Sequence, residues 1–429
     1  MGTSPSGTTS SQTLTGRDYR TLALAALGGA LEFYDFVVFV FFTAALSRVF
    51  FPADLPAWMR ELQTYGIFAA GYLARPLGGI VIAHFGDLLG RKKMFTLSIM
   101  LMAVPTLGMG LLPTYASWGL AAPLLLLALR ILQGAAIGGE VPGAWVFVSE
   151  HVPEKHTGLA VGTLTAGLTA GILLGSLVAT GVNTAFSPAE VDAFAWRIPF
   201  LLGGGFGLLA VYLRRFLEET PVFRELHQNK ALSAEFPLKT IVTRHFPAVL
   251  LSMSMTWVLS AAIVVVILLA PTYLQTTFQV SPRSSLQANS VAIVCLTAGC
   301  IVFGMLADRI GSKWSLGLGS IGLLVSSSMF YRSLPAATGT LFAGYAITGF
   351  FVGSIGVIPY VLVRAFPPAV RFSGLSFSYN VAYAVFGGLT PVVLRIWLNA
   401  DKLAHAHYVA ALALFGAILA FVRLPKTTV

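Results

Sequence analysis

Four ionisable side chains stand inside long apolar runs: Glu32, Asp35, Arg75 and Arg130. A charge at bilayer depth costs about 3 kcal/mol or more and marks ion or substrate paths. Glu32 and Asp35 lie within one helical turn of each other. Their chemistry would be proton exchange, because a buried carboxyl holds or releases its proton according to whether an arginine stands beside it. Either Asp35 or Glu32 is therefore the candidate carrier of a coupling proton. Arg130 is a candidate partner for a substrate carboxylate or for Asp35, and a static buried Asp–Arg pair is the alternative. Arg75, Gln133 and Tyr34 join Arg130 as candidate substrate contacts. At a helical rise of ~1.5 Å, Glu32 and Asp35 lie ~16 and ~21 Å from one side, and Arg130 and Arg75 ~16 and ~21 Å from the other. All four fall in or near the middle third of a core ~30 Å thick. The second half of the chain offers neutral polar groups at that depth: Trp257, Asn289, Tyr379 and Asn380. This points to a division of labour, with charges in the first half and neutral contacts in the second.

The elements that must hold these residues follow from composition. Of 429 residues, 10% are charged and 56% hydrophobic, against roughly 25% charged in a soluble domain. Mean hydropathy is +0.81. A disordered chain, a nucleic-acid-binding domain and a disulfide-stapled secreted domain are excluded. The spacing predicts an all-α membrane protein of twelve transmembrane helices. The first six lie near 21–46, 61–84, 94–113, 119–148, 157–182 and 196–214. The second six lie near 246–274, 285–307, 314–332, 336–362, 373–398 and 405–423. Domains follow directly: a disordered cytoplasmic tail over 1–20, a six-helix half over 21–214, a central cytoplasmic loop over 215–245, a second half over 246–423, and a short tail over 424–429. The net charge of +10 reads as topology. With both termini cytoplasmic, eighteen Lys and Arg fall inside and seven outside, as the positive-inside rule requires. Cys295 and Cys300 do not share a helix face and suggest no metal.

A ten-residue turn occurs twice. Ala83-His84-Phe85-Gly86-Asp87-Leu88-Leu89-Gly90-Arg91-Lys92 follows the second helix, and Gly304-Met305-Leu306-Ala307-Asp308-Arg309-Ile310-Gly311-Ser312-Lys313 follows the eighth, 221 residues later. Asp87, at a helix end, can accept from a neighbouring helix N-terminus. A following basic residue can pair with a carboxylate of another loop, Glu150 being the candidate for Arg91. Asp87, Gly90, Arg91, Glu140, Glu150, Asp308 and Arg309 thus form a candidate conformational latch. Glu140 either lines the cytoplasmic path or ties the fourth helix to the Arg91 loop. Gly158, Gly162, Gly167, Gly171 and Gly175 would let the fifth helix approach its neighbours closely.

The doubled turn resembles the signature of the major facilitator superfamily. Several segments are similar to its metabolite:proton symporter family, whose members carry citrate, α-ketoglutarate, shikimate, proline or betaine. These are Glu32-Phe33-Tyr34-Asp35-Phe36, Arg75-Pro76-Leu77-Gly78, Arg130-Ile131-Leu132-Gln133-Gly134 with Gly138-Gly139-Glu140, Trp196-Arg197-Ile198-Pro199-Phe200, Leu217 to Phe223, Arg371-Phe372-Ser373-Gly374 and Phe386 to Pro391. The likeness spans about residues 20–423. It implies the major facilitator fold of two parallel-repeat six-helix halves. It also implies uptake of a small organic acid or zwitterionic metabolite by proton symport through alternating access. The alternatives are an antiporter or exporter on the same fold and a non-transporting membrane receptor. No Walker loop, H-E-x-x-H or G-x-S-x-G occurs, so no enzyme activity is expected. No cofactor is expected beyond the proton as coupling ion, and no nucleic-acid partner. The expected setting is a multi-pass protein in a bacterial cytoplasmic membrane, its partners the substrate and the lipid bilayer, functioning as a monomer.

Overall fold

The apolar runs fold as twelve helical rods in a computed structural model that describes residues 16–89, 91–138, 140–214, 237–334, 338–367 and 370–424. The first half holds α1 (Gly16–Phe41, extended by Thr43–Val49), α2 (Ala57–Leu89) and α3 (Arg91–Leu111). It continues with α4 (Ala121–Ile137 and Glu140–His151), α5 (Thr157–Ala185) and α6 (Arg197–Arg214). The second half holds α7 (Phe246–Ala262 through Ala270–Phe278), α8 (Pro282–Ile310) and α9 (Ser312–Ser333). It ends with α10 (Leu341–Val352 through Ile358–Ala365), α11 (Arg371–Ala382 through Gly388–Trp397) and α12 (Ala404–Arg423). Eight described helices are long and apolar enough to cross a bilayer, nine if the bent pair Pro188–Ala195 and Arg197–Tyr212 is one span. α1 begins at Gly16, inside the segment expected to be a tail. Residues 1–15 and 215–236 of the expected tail and central loop lie outside the described residues.

Breaks in the rods have local causes. A six-residue π turn, Ile263–Leu268, interrupts α7 just before Pro271. Proline has no N–H to donate, and a carbonyl left without a donor in an apolar core must find another. Tyr345 supplies it, its hydroxyl donating to the Val266 carbonyl at 2.5 Å. A second π turn, Tyr383–Gly387, precedes Pro391 in α11, and there Thr390 Oγ1 donates to the Phe386 carbonyl.

The halves meet chiefly along α5 with α8 and along α2 with α11. The glycine ladder of α5 serves two partners. Gly158 and Gly162 face α8, where a Cβ on Gly162 would stand 2.7 Å from the Cys300 carbonyl oxygen. Gly167, Gly171 and Gly175 face α1 within the first half. Hydroxyls continue the α5–α8 seam, Thr169 with Thr297 and Ser176 with Ser290, each pair at 2.9 Å.

Candidate functional site

The two buried arginines occupy different environments. Arg130 on α4 donates from Nη1 to Gln133 Oε1, one turn along the same helix, and from Nη2 to the Phe36 carbonyl of α1 at 3.0 Å. Gln133 extends the network, its Nε2 donating to Thr106 Oγ1 of α3 at 2.7 Å and to the Asp35 carbonyl at 3.2 Å. The guanidinium also lies over the rings of Phe36 and Phe39, 4.1 and 4.6 Å from their centroids. Arg130 is fully buried. It ties α1 to α4 within one half, its terminal nitrogens bonded to an amide oxygen and a carbonyl, and Gln133 carries the network on to α3.

The Asp35 carboxylate is buried against α6. A Cβ on Gly203 would lie 2.5 Å from its Oδ1, and one on Gly207 3.5 Å from its Oδ2. Those two glycines make the room the carboxylate occupies. Tyr34 also turns to α6, donating to the Pro199 carbonyl at 2.8 Å and meeting Phe206 edge-on.

Arg75 on α2 lies where the halves meet. Its guanidinium stands 4.4 Å from the Tyr383 centroid, 5.5 Å from Tyr72, 5.6 Å from Tyr379 and 5.8 Å from Phe36. Phe36 and Tyr72 come from the first half, Tyr379 and Tyr383 from the second. The rings brace one another: Tyr72 stacks on Tyr383 at 5.4 Å with planes 10° apart, and Phe36 meets Tyr72 at 4.7 Å. Trp145 closes the edge beside Tyr379 at 5.1 Å. Arg75 is only 1% exposed, yet its Nε and Nη2 have no hydrogen-bond acceptor among the described residues. One turn away Asn380 Nδ2 donates across the boundary to the Gly138 carbonyl, at the break in α4, and to the Ser376 carbonyl at 2.9 Å. A Cβ on Gly79 would stand 3.0 Å from that Nδ2, so a glycine there admits the bond.

The halves are also tied at both ends. On the face that carries the described ends of the chain, Asp308 accepts from the Gly158 and Leu159 backbone N–H groups, both at 2.7 Å. This carboxylate therefore caps the N-terminus of α5. Beside it, Arg371 pairs with Glu150 at 3.3 Å and Arg364 with Glu154 at 3.2 Å. On the opposite face, Arg395 of α11 pairs with Glu61 of α2 at 3.3 Å. That pair borders a cavity of about 330 Å³ lined by Tyr65, Thr272, Tyr273 and Lys402 among others.

Residues 37–391 match the Major Facilitator Superfamily. The chain belongs to that superfamily. It is a membrane transporter rather than an enzyme. A Staphylococcus aureus relative is 34% identical over 412 residues, covering 92% of this carrier and 86% of its own length. The glycine betaine/proline/ectoine/pipecolic acid transporter OusA of Dickeya dadantii is 31% identical, over 94% of this carrier and 82% of its own length. The proline/betaine transporter of Salmonella typhimurium is 30% identical, over 94% and 83%. Among solved structures, the xylose transporter XylE from E. coli in a partially occluded inward-open conformation superposes with a TM-score of 0.75 at 17% identity. The match covers 96% of this carrier and 99% of that chain.

Within this carrier, the residues expected to bind substrate separate into three places. Arg75, Tyr379 and Asn380 gather at the boundary of the halves. Arg130, Gln133 and Tyr34 are bonded inside the first half. Trp257 is inside the second, its Nε1 donating to Tyr408 at 3.1 Å and its ring stacked on Phe386 at 4.5 Å. Glu150, expected to pair with Arg91, is bonded to Arg371 across the boundary, because α11 begins beside the end of α4. Glu140 is buried in the first turn of the second piece of α4, and Arg309 is exposed. The side chains of Glu32, Asp87 and Arg91, and Gly90 altogether, lie outside what is described. Tyr72 and Tyr383 were not singled out from sequence. Their signal was present: Tyr72 is three residues before Arg75, and Tyr383 four after Tyr379, so each shares a helix face with a residue already chosen.

Proposed function

We propose that this carrier takes up a small zwitterion, bearing both an ammonium and a carboxylate, by proton symport through alternating access. The observation that carries the proposal is Arg75, buried at the boundary among rings supplied by both halves. Alternating access rocks one half against the other around a midplane site. A site built from both halves changes shape with that motion. Rings attract a cation and a guanidinium attracts a carboxylate, so the two components together suit a zwitterion better than a simple organic acid. The names of the Dickeya and Salmonella relatives agree with that substrate class.

Asp35 is the proposed proton carrier. It is a buried carboxylate at the middle of α1, against the glycine face of α6 and one residue from the carbonyl that Arg130 holds. Asp308, Glu150 and Arg371 are proposed as the cytoplasmic latch, with both termini on that side of a bacterial cytoplasmic membrane and the protein acting as a monomer. Asp87, Gly90, Arg91 and Glu32 keep the latch and proton roles given them above as proposals.

The test uses liposomes enclosing a pH-sensitive dye. Glycine betaine, proline, citrate, α-ketoglutarate and shikimate are added singly from outside. Acidification by a zwitterion, lost in Asp35→Asn, is the expected result. Acidification by the dicarboxylates or shikimate alone would remove the zwitterion. An unchanged signal in Asp35→Asn would assign the proton elsewhere, and uptake with no proton movement would favour an exchanger.

A further inference from the structure

The environment of Arg75 is unusual for a buried cation. A guanidinium carries five N–H donors, and leaving buried donors unmet is costly. Here Nε and Nη2 find no acceptor among the described residues, although Arg75 is 1% exposed. What surrounds the charge instead is four aromatic faces within 6 Å. Such an enclosure is the general chemistry by which proteins hold quaternary ammonium groups.

We propose that Phe36, Tyr72, Tyr379 and Tyr383 form a cage for the substrate's ammonium group, and that Arg75 is its tethered occupant when no substrate is bound. On binding, the ammonium takes the position of the guanidinium. The displaced guanidinium, with its donors already unmet, pairs with the substrate carboxylate. One residue thus closes the empty cage and recognises the second charge of the cargo. The exchange selects zwitterions. A cation without a carboxylate displaces Arg75 but offers it no new partner, so it binds weakly. A carboxylate without a cation leaves the cage with nothing to replace the guanidinium. Two cage rings belong to each half, so filling the cage also links the halves at their midplane. The inference rests on the zwitterion reading above and adds the identity of the ammonium site.

The test measures equilibrium binding by calorimetry to the purified full chain. The probes are glycine betaine, tetramethylammonium (cation only) and 3,3-dimethylbutanoate, which has the shape of glycine betaine with carbon in place of nitrogen. Arg75→Gln is expected to change two affinities in opposite directions. Tetramethylammonium tightens about tenfold because its competitor is gone, and glycine betaine weakens about tenfold because its carboxylate partner is gone. Arg75→Lys, which keeps a tethered cation, leaves tetramethylammonium weak. Tyr383→Leu weakens tetramethylammonium and glycine betaine but not 3,3-dimethylbutanoate, while Tyr383→Phe retains all three. A merely structural Arg75 would weaken both ligands together in Arg75→Gln, and that result would overturn the proposal. So would equal loss of glycine betaine and its carbon isostere 3,3-dimethylbutanoate in Tyr383→Leu. If the unaltered protein binds no zwitterion while Arg75→Gln binds tetramethylammonium tightly, the zwitterion reading fails and the cage stands.

Discussion

Arg130 and Arg75 are both buried arginines that share the Phe36 ring, and they are built in opposite ways. Arg130 is bonded to Gln133 and to a carbonyl of α1, and the network runs on to α3. Arg75 is surrounded by rings and lacks acceptors for two of its nitrogens among the described residues. Both terminal nitrogens of Arg130 are met, only its Nε lacking an acceptor among the described residues, and a charge bonded in that way holds a bundle together. A charge whose donors are unmet is ready for another partner. The same contrast separates the halves, since Arg130 lies inside one of them and Arg75 lies where the two meet.

The comparison breaks most directly with a matched pair of substitutions. Arg130→Met should destabilise the carrier by about 3 kcal/mol, because it leaves Gln133 and the Phe36 carbonyl short of a buried partner. Thermal unfolding in detergent should read this as a clear fall in Tm, with transport lost as well. A smaller effect is expected at the latch. Asp308→Ala removes the cap on the α5 N-terminus, worth about 1–2 kcal/mol. It should favour separation of the halves at that face, read as faster labelling of a cysteine introduced at Leu159. Glu61→Gln should weaken the opposite tie by less than about 1 kcal/mol, because a partly exposed pair is screened. It should accelerate exchange modestly at low salt and hardly at all at high salt. Arg75→Met should leave Tm unchanged or slightly raised, since an apolar side chain of similar volume replaces a charge with unmet donors. A fall in Tm as large as that of Arg130→Met would abolish the distinction between the two arginines.

Much of this was readable along the chain. Apolar runs separated by charged turns marked the helices, since only a helix satisfies its own backbone in lipid. Both copies of the Asp–Gly turn were visible, and in the second copy Asp308 caps a helix N-terminus, the contact expected of Asp87 in the first. Arg75, Arg130 and Asp35 stood out because charge inside an apolar run is costly. The partners of these groups were not readable. Tyr34 and Asp35 are adjacent and both turn to α6, while Phe36, the next residue, faces the two arginines. Trp257 has the composition of a substrate contact and is instead stacked on Phe386 within its own half. Glu150 has Arg91 nearer in sequence and meets Arg371.

By itself the sequence determined that this is a twelve-helix membrane carrier of two repeated halves, and which residues carry charge inside its apolar runs. Those properties depend on composition and local period, which a helix expresses along its own length. Only the tertiary structure decided which of the charges is bonded and which is caged. That depends on which helix face meets which neighbour, and the Arg75 enclosure needs rings from α1, α2 and α11 to arrive at one point. Their separation along the chain, from Phe36 to Tyr383, leaves no local pattern to read.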